Sequence, residues 1–137
     1  MSRYISDTLR AEVAERANFC CEYCRLPLRY SLFRFQVDHI VSLKHGGQTV
    51  LENLALACGF CNTNKGADLG TFLDSPKELI PFFNPRDDDW HDHFEFEGAG
   101  IGAKTKIGAA TIKIFGFNQV ERIMERQILI NAGLYPT

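Results

Sequence analysis

The chain has 137 residues, with 15 Lys+Arg against 17 Asp+Glu, a formal net charge of -2, 45% hydrophobic residues and 23% charged residues. This balance excludes a disordered chain and a protein coated in basic residues. The length suits one domain, or a small domain with an extension.

In chain order, Asp7 to Ala17 reads as a first helix, capped by Asp7, with Leu9, Val13 and Ala17 on one face. A C-x-x-C knuckle follows at Cys21 and Cys24. Phe35 to Val41 is rich in β-branched and aromatic residues and predicts a strand. Lys44 to Gln48 contains two consecutive glycines and predicts a loop, with His45 facing solvent. Leu54 to Ala57 is a short apolar return strand. A second knuckle, Cys58 and Cys61, leads into a helix expected to start at Asn62 and end near Gly66.

Composition changes after about Leu69, where Pro76, Pro81 and Pro85 mark a turn-rich connection. Phe94 to Glu97 alternates as a half-buried strand does, and Gly98-Ala99-Gly100 turns it into a second strand from Ile101 to Lys104. Lys106 to Phe115 fits both periods and is read as helix. Asn118 is the expected cap of a last helix through Ile130, with Val120, Ile123, Met124, Gln127 and Ile128 at helical spacing and Gly133 as the stop. Asp87-Asp88-Asp89 reads as an acidic turn and Trp90 as a core plug. The expected division is residues 1–69, a zinc-clamped core with its N-terminal helix, and residues 70–137, an extension of hairpin and helices packed on that core.

Five cysteines resolve into two knuckles and a spare, Cys20. Two C-x-x-C pairs aim four thiolates at one point, which suits a closed tetrahedral Zn²⁺ that has no open position for chemistry. The N-terminal stretch is charged throughout and has no apolar h-region. The expected compartment is therefore the cytoplasm, with no membrane association.

Between and beside the knuckles lie Asp38-His39-Ile40, His45-Gly46-Gly47, Asn53-Leu54 and Asn62-x-x-Lys65-Gly66. Taken together, this order resembles the HNH endonucleases. The resemblance runs from about Cys21 to Gly66. Phe83-Asn84-Pro85-Arg86, Trp90-x-x-His93-Phe94 and the closing Ala132 to Pro136 look like small stand-alone bacterial HNH proteins.

The resemblance implies an α+β fold with a ββα-metal (His-Me finger) core, clamped by a four-cysteine zinc site, and an α/β C-terminal extension. It implies metal-dependent cleavage of DNA phosphodiester bonds, leaving 5′-phosphate and 3′-hydroxyl ends. His39 would be the general base. Asp38 and Asn62 would hold Mg²⁺ or Mn²⁺ through oxygen, and Asn53 would pin the loop that orients the base. Asn62 stands where the family often has His, making this an H-N-N variant. Lys65 would meet a phosphate, and Arg25, Arg29 and Arg34 would line a backbone-binding groove. Bland readings stand beside these: Lys65 as a solvated helix charge, and the arginines as a solvated loop. A non-catalytic, zinc-stabilised nucleic-acid-binding module is the alternative function.

Residues 1–68 carry +1 and residues 69–137 carry -3. That balance predicts weak, salt-sensitive DNA binding aided by a cation, a homodimer or a recruiting protein.

Overall fold

The computed structural model describes residues 4–31 and 35–137. It is α+β. Its described residues contain five α-helices and three two-stranded antiparallel sheets. Contacts divide the chain into two compact units, Met1–Asp68 and Leu69–Thr137.

The first unit opens with α1, Asp7–Arg16. Its cap is Ser6 rather than the expected Asp7, because the Ser6 side chain accepts the Leu9 N–H. One face of α1 buries Val13 against Ile5, Leu54 and Leu56, with Leu9 and Ala17 at the margin. Arg16, in its last turn, donates to the carbonyls of Leu51 and Leu54, tying the helix to the start of the return strand.

Strand β1 is Gln36–His39 and pairs antiparallel with β2, Leu54–Ala57, with Asp38 opposite Ala55 and His39 opposite Leu54. β1 is shorter than the expected Phe35 to Val41. The ladder stops because the Val41 N–H is taken by the Asn53 side chain rather than by a strand. All four residues of β2 are buried. Helix α2, Gly59–Lys65, starts three residues before the expected Asn62. Cys58 caps it, its Sγ accepting from the Cys61 N–H, so the second knuckle is the first turn of the helix. β1, β2 and α2 together make a ββα unit.

In the second unit, β3 (Gly70–Thr71) pairs with β4 (Ile80–Pro81), and β5 (Phe94–Glu97) with β6 (Gly100–Ala103). Asp89 caps the short helix α3, Trp90–His93. Trp90 is buried against Phe94 and Phe96 as a core plug. Helix α4 spans Lys106–Phe115, and its Gly108 lies so close to the His93 carbonyl that a Cβ would collide with it.

Helix α5, Val120–Asn131, exposes much of its apolar stripe. Val120, Met124 and Ile128 are exposed, while Arg122 and Arg126 are buried. The Arg126 guanidinium donates to the carbonyls of Ala99 and Phe117, each at 2.6 Å, and Arg122 donates to that of Phe115 at 2.7 Å. Buried loop carbonyls require donors, and the guanidinium fork supplies several at once. Asn118 does not cap α5; its amide brackets the Ile101 peptide, and Gln119 holds the cap position. Removing Arg126 would strand those carbonyls. Arg126→Leu is expected to lower the stability of the second unit by about 3 kcal/mol, read as a drop in the denaturant midpoint.

Candidate active site and cysteine centre

Cys21, Cys24, Cys58 and Cys61 are buried, and their sulfurs all lie within 4.8 Å of one another. The Cys24 and Cys58 sulfurs are 3.7 Å apart. Zinc bonded tetrahedrally to sulfur at its usual length requires S···S edges of about 3.8 Å, so the donor set fits that ion. The two knuckles are built alike: the Cys24 N–H points at the Cys21 Sγ, and the Cys61 N–H at the Cys58 Sγ, each at 3.5 Å. Burial pushes the thiols of Cys21 and Cys61 well above their ordinary range, and the neighbouring sulfurs add to the rise for Cys21. These two thiols are thus poorly placed to ionise unless a cation offsets the charge. Cys20 is buried outside the cluster. Arg25 closes the first knuckle with a φ of 70°, a left-handed turn in which its N–H reaches the Cys21 carbonyl.

The first knuckle is also fastened to β2. Glu22 both donates its N–H to the Leu56 carbonyl and accepts the Leu56 N–H on its carboxylate, each at 2.8 Å. The next residue, Tyr23, is fully buried, and its hydroxyl donates to Asp38 Oδ2 at 2.8 Å.

Asp38 and His39 are consecutive in β1, so their side chains leave opposite faces of the strand. Asp38 is 5% exposed and lies against Lys65, whose Nζ is 3.2 Å from Oδ2 and 3.0 Å from the His39 carbonyl. Lys65 is therefore not a solvated helix charge. It is 3% exposed. Burial raises the Asp38 carboxyl above the usual carboxylate range, opposed by Lys65 and by the Tyr23 hydrogen bond.

His39 is partly buried. Its Nε2 is 3.0 Å from Thr49 Oγ1, and no other hydrogen bond reaches the ring among the described residues. Burial holds the imidazole below its ordinary value; Asp38 pulls it up and Lys65 adds to the fall. The ring is thus biased toward the neutral form, which is the form that accepts a proton.

The loop after β1 is set by Asn53. Its Oδ1 accepts the Val41 N–H, and its Nδ2 donates to the Val41 and Gln48 carbonyls, all at 2.9 Å. Gly47 passes so near the Val41 carbonyl that no side chain fits there, and Gly46 adopts a φ of 89°. The glycine pair is therefore required by the path of the loop. His45 is exposed in a short turn, Leu43–His45.

Asp38, His39 and Asn62 line one open cleft of about 550 Å³. The Asn62 side chain makes no hydrogen bond among the described residues. Arg10 of α1 and Lys44 of the loop also line the cleft. Arg25 and Arg29 do not, and Arg34 lies outside the described residues. Arg10, Lys44, Thr49 and Tyr23 belong to the site but to none of the motifs legible in the sequence. A signal was present only for Tyr23, the aromatic residue inside the first knuckle.

Residues 21–68 match the family described as HNH endonuclease. These residues form an HNH endonuclease domain. The HNH match begins at the first knuckle and covers both strands and α2. A curated relative, Septu protein PtuB of Bacillus thuringiensis, is 27% identical over 131 residues, which is 94% of this chain. The chain spans about half of that protein, 48% of its length. No solved structure matches the chain. Among the described residues, no helix is long and apolar enough to cross a membrane.

Proposed function

We propose that the chain is a metal-dependent DNA endonuclease with His39 as its general base. The observation that carries this reading is that Asp38, His39 and Asn62 all line one open cleft within the HNH domain. If the Nε2–H donates to Thr49, the lone pair is on Nδ1, ready to take the proton of an attacking water. Asn53 and Gly47 hold the loop that carries Thr49, and so fix the ring indirectly.

Asp38 and Asn62 would hold the divalent ion. Both offer oxygen, the donor that Mg²⁺ and Mn²⁺ prefer. A carboxylate has about four acceptor sites. Tyr23 and Lys65 occupy Asp38 only in part, and the Asn62 amide is uncommitted. When bound, such an ion supplies charge stabilisation at the phosphate and at the leaving oxygen. Zn²⁺ would sit in the cysteine cluster as a structural ion and take no part in the reaction.

The test is nicking of supercoiled plasmid by zinc-loaded protein with Mg²⁺ or Mn²⁺. Metal-dependent nicks with 5′-phosphate and 3′-hydroxyl ends support the reading. Wild type that is folded, zinc-loaded and inactive on duplex, single-stranded and branched DNA sinks it. The second reading, a binding module without catalysis, draws on one observation: Lys65 already balances the Asp38 charge. It predicts retention of DNA in a gel shift with no nicking.

DNA contacts are assigned to Arg10 and Lys44, the basic side chains of the cleft. Lys44→Ala and Arg10→Ala are each expected to raise KM for DNA with kcat unchanged. Each should also lower the slope of log affinity against log salt by about 0.9. An unchanged slope in both variants removes them from the interface.

A further inference from the structure

Asp38 is gripped from two sides, and each grip belongs to a different knuckle. Tyr23 lies between Cys21 and Cys24, and Lys65 lies one helical turn beyond Cys61 on α2. We infer that Tyr23 and Lys65 are positioning residues: they clamp the Asp38–His39 pair, and the cysteine cluster sets the spacing of the clamp. This rests on the nuclease reading above and adds to it the means by which a site without open coordination bears on cleavage.

The Lys65 ammonium has three N–H donors. Its contacts are Asp38 Oδ1 at 3.3 Å, Asp38 Oδ2 at 3.2 Å and the His39 carbonyl at 3.0 Å. It therefore holds the side chain of one member of the pair and the main chain of the other. The His39 carbonyl stands at the last residue of β1, where the ladder gives way to a bend. Without Lys65 that strand end would lose a cross-link at the residue whose ring must be aimed. Tyr23 supplies the opposing contact at 2.8 Å, and Glu22 beside it fixes the first knuckle to β2. The Tyr23 arm thus runs from the cluster to Asp38 within the first knuckle, and the Lys65 arm runs there through one turn of α2.

The main competing explanation is a buried ion pair that serves stability alone. Such pairs are poor stabilisers, because desolvation cancels most of the attraction. Here the lysine also holds the main chain of His39, so its loss would disturb the residue whose ring must be aimed as well as the ion pair. A phosphate-binding role would need Lys65 to abandon three internal contacts.

The experiment compares full-length, zinc-loaded wild type with Tyr23→Phe and Lys65→Met in steady-state nicking. It also measures DNA affinity in Ca²⁺, zinc content and lysine acetylation followed by mass spectrometry. Tyr23→Phe removes one oxygen and is the variant least prone to misfold. The clamp predicts full zinc content, unchanged affinity and KM, and kcat lowered about 10–100-fold in both variants, the cost typical of groups that orient a site from behind. It also predicts that Lys65 of the wild type resists acetylation while Lys44 and Lys77 react, and that Asp38→Asn exposes Lys65 to the reagent. A raised KM with a smaller salt slope in Lys65→Met assigns Lys65 to phosphate binding and overturns the clamp. Lower thermal stability with unchanged kcat in both variants also overturns it, as does Lys65 reacting as fast as Lys44. If wild type nicks no DNA, the nuclease reading fails by itself. The clamp is then decided by acetylation and by the His39 ring signal in NMR: a shift in Tyr23→Phe supports it, and an unmoved signal refutes it.

Discussion

Replacing Cys58 with serine, or stripping the cysteine cluster with a chelator, is expected to unfold the unit Met1–Asp68. Ile5, Val13, Leu54 and Leu56 form a small core for a unit of that length. The cluster does much of the holding. It joins the loop after α1 to the start of α2 across an interval from Cys24 to Cys58, and β1, the loop and β2 all lie within that interval. Binding of structural zinc by such peptides contributes about 10–16 kcal/mol near neutral pH, and that energy is folding energy. It is as large as the whole net stability of a typical domain, about 5–15 kcal/mol. Cys58 has a second task, since its sulfur caps α2, so serine loses a ligand while keeping a capping oxygen. Amide signals of the first unit, recorded with and without chelator, are the measurement. A first unit that stays folded after complete removal of metal would refute a structural zinc.

His39→Ala is expected to lower the nicking rate about 10²–10⁴-fold, the usual worth of a positioned general base. DNA affinity and zinc content should not change. The ring is only partly buried, and Thr49 is its one hydrogen-bonding partner among the described residues, so alanine leaves β1 intact. Loss of binding along with the rate would instead mean that His39 contacts DNA. A rate within threefold of wild type would remove it as the base.

Local pattern made several elements legible. Leu54–Ala57, Phe94–Glu97 and Lys106–Phe115 lie where periodicity and turn residues put them. The cysteine pairing was legible because C-x-x-C carries its own geometry, and the HNH match falls on the stretch the motifs marked. What escaped depends on partners far apart in sequence. Tyr23 reaches Asp38 across 15 residues, and Lys65 reaches it across 27. Neither separation leaves a periodic trace. The polarity of α5 departs from its apolar spacing for a different reason. An apolar stripe at helical spacing normally faces a core, but here the carbonyls of Ala99, Phe115 and Phe117 demand donors, and Arg122 and Arg126 supply them. Basic residues near β1 in sequence drew attention to Arg25 and Arg29. The cleft is instead lined by Arg10 and Lys44, brought there by a helix and a loop.

Asn53 counterfeits a peptide group. Its amide presents one acceptor and two donors to Val41 and Gln48, as another strand's backbone would. The excursion between those residues is therefore stapled at its base by a side chain rather than by its own sequence. Residues at its tip, Lys44 and His45 among them, are exposed and take no part in that staple. The loop's base is thus held independently of its tip, and a change at the tip need not move the base.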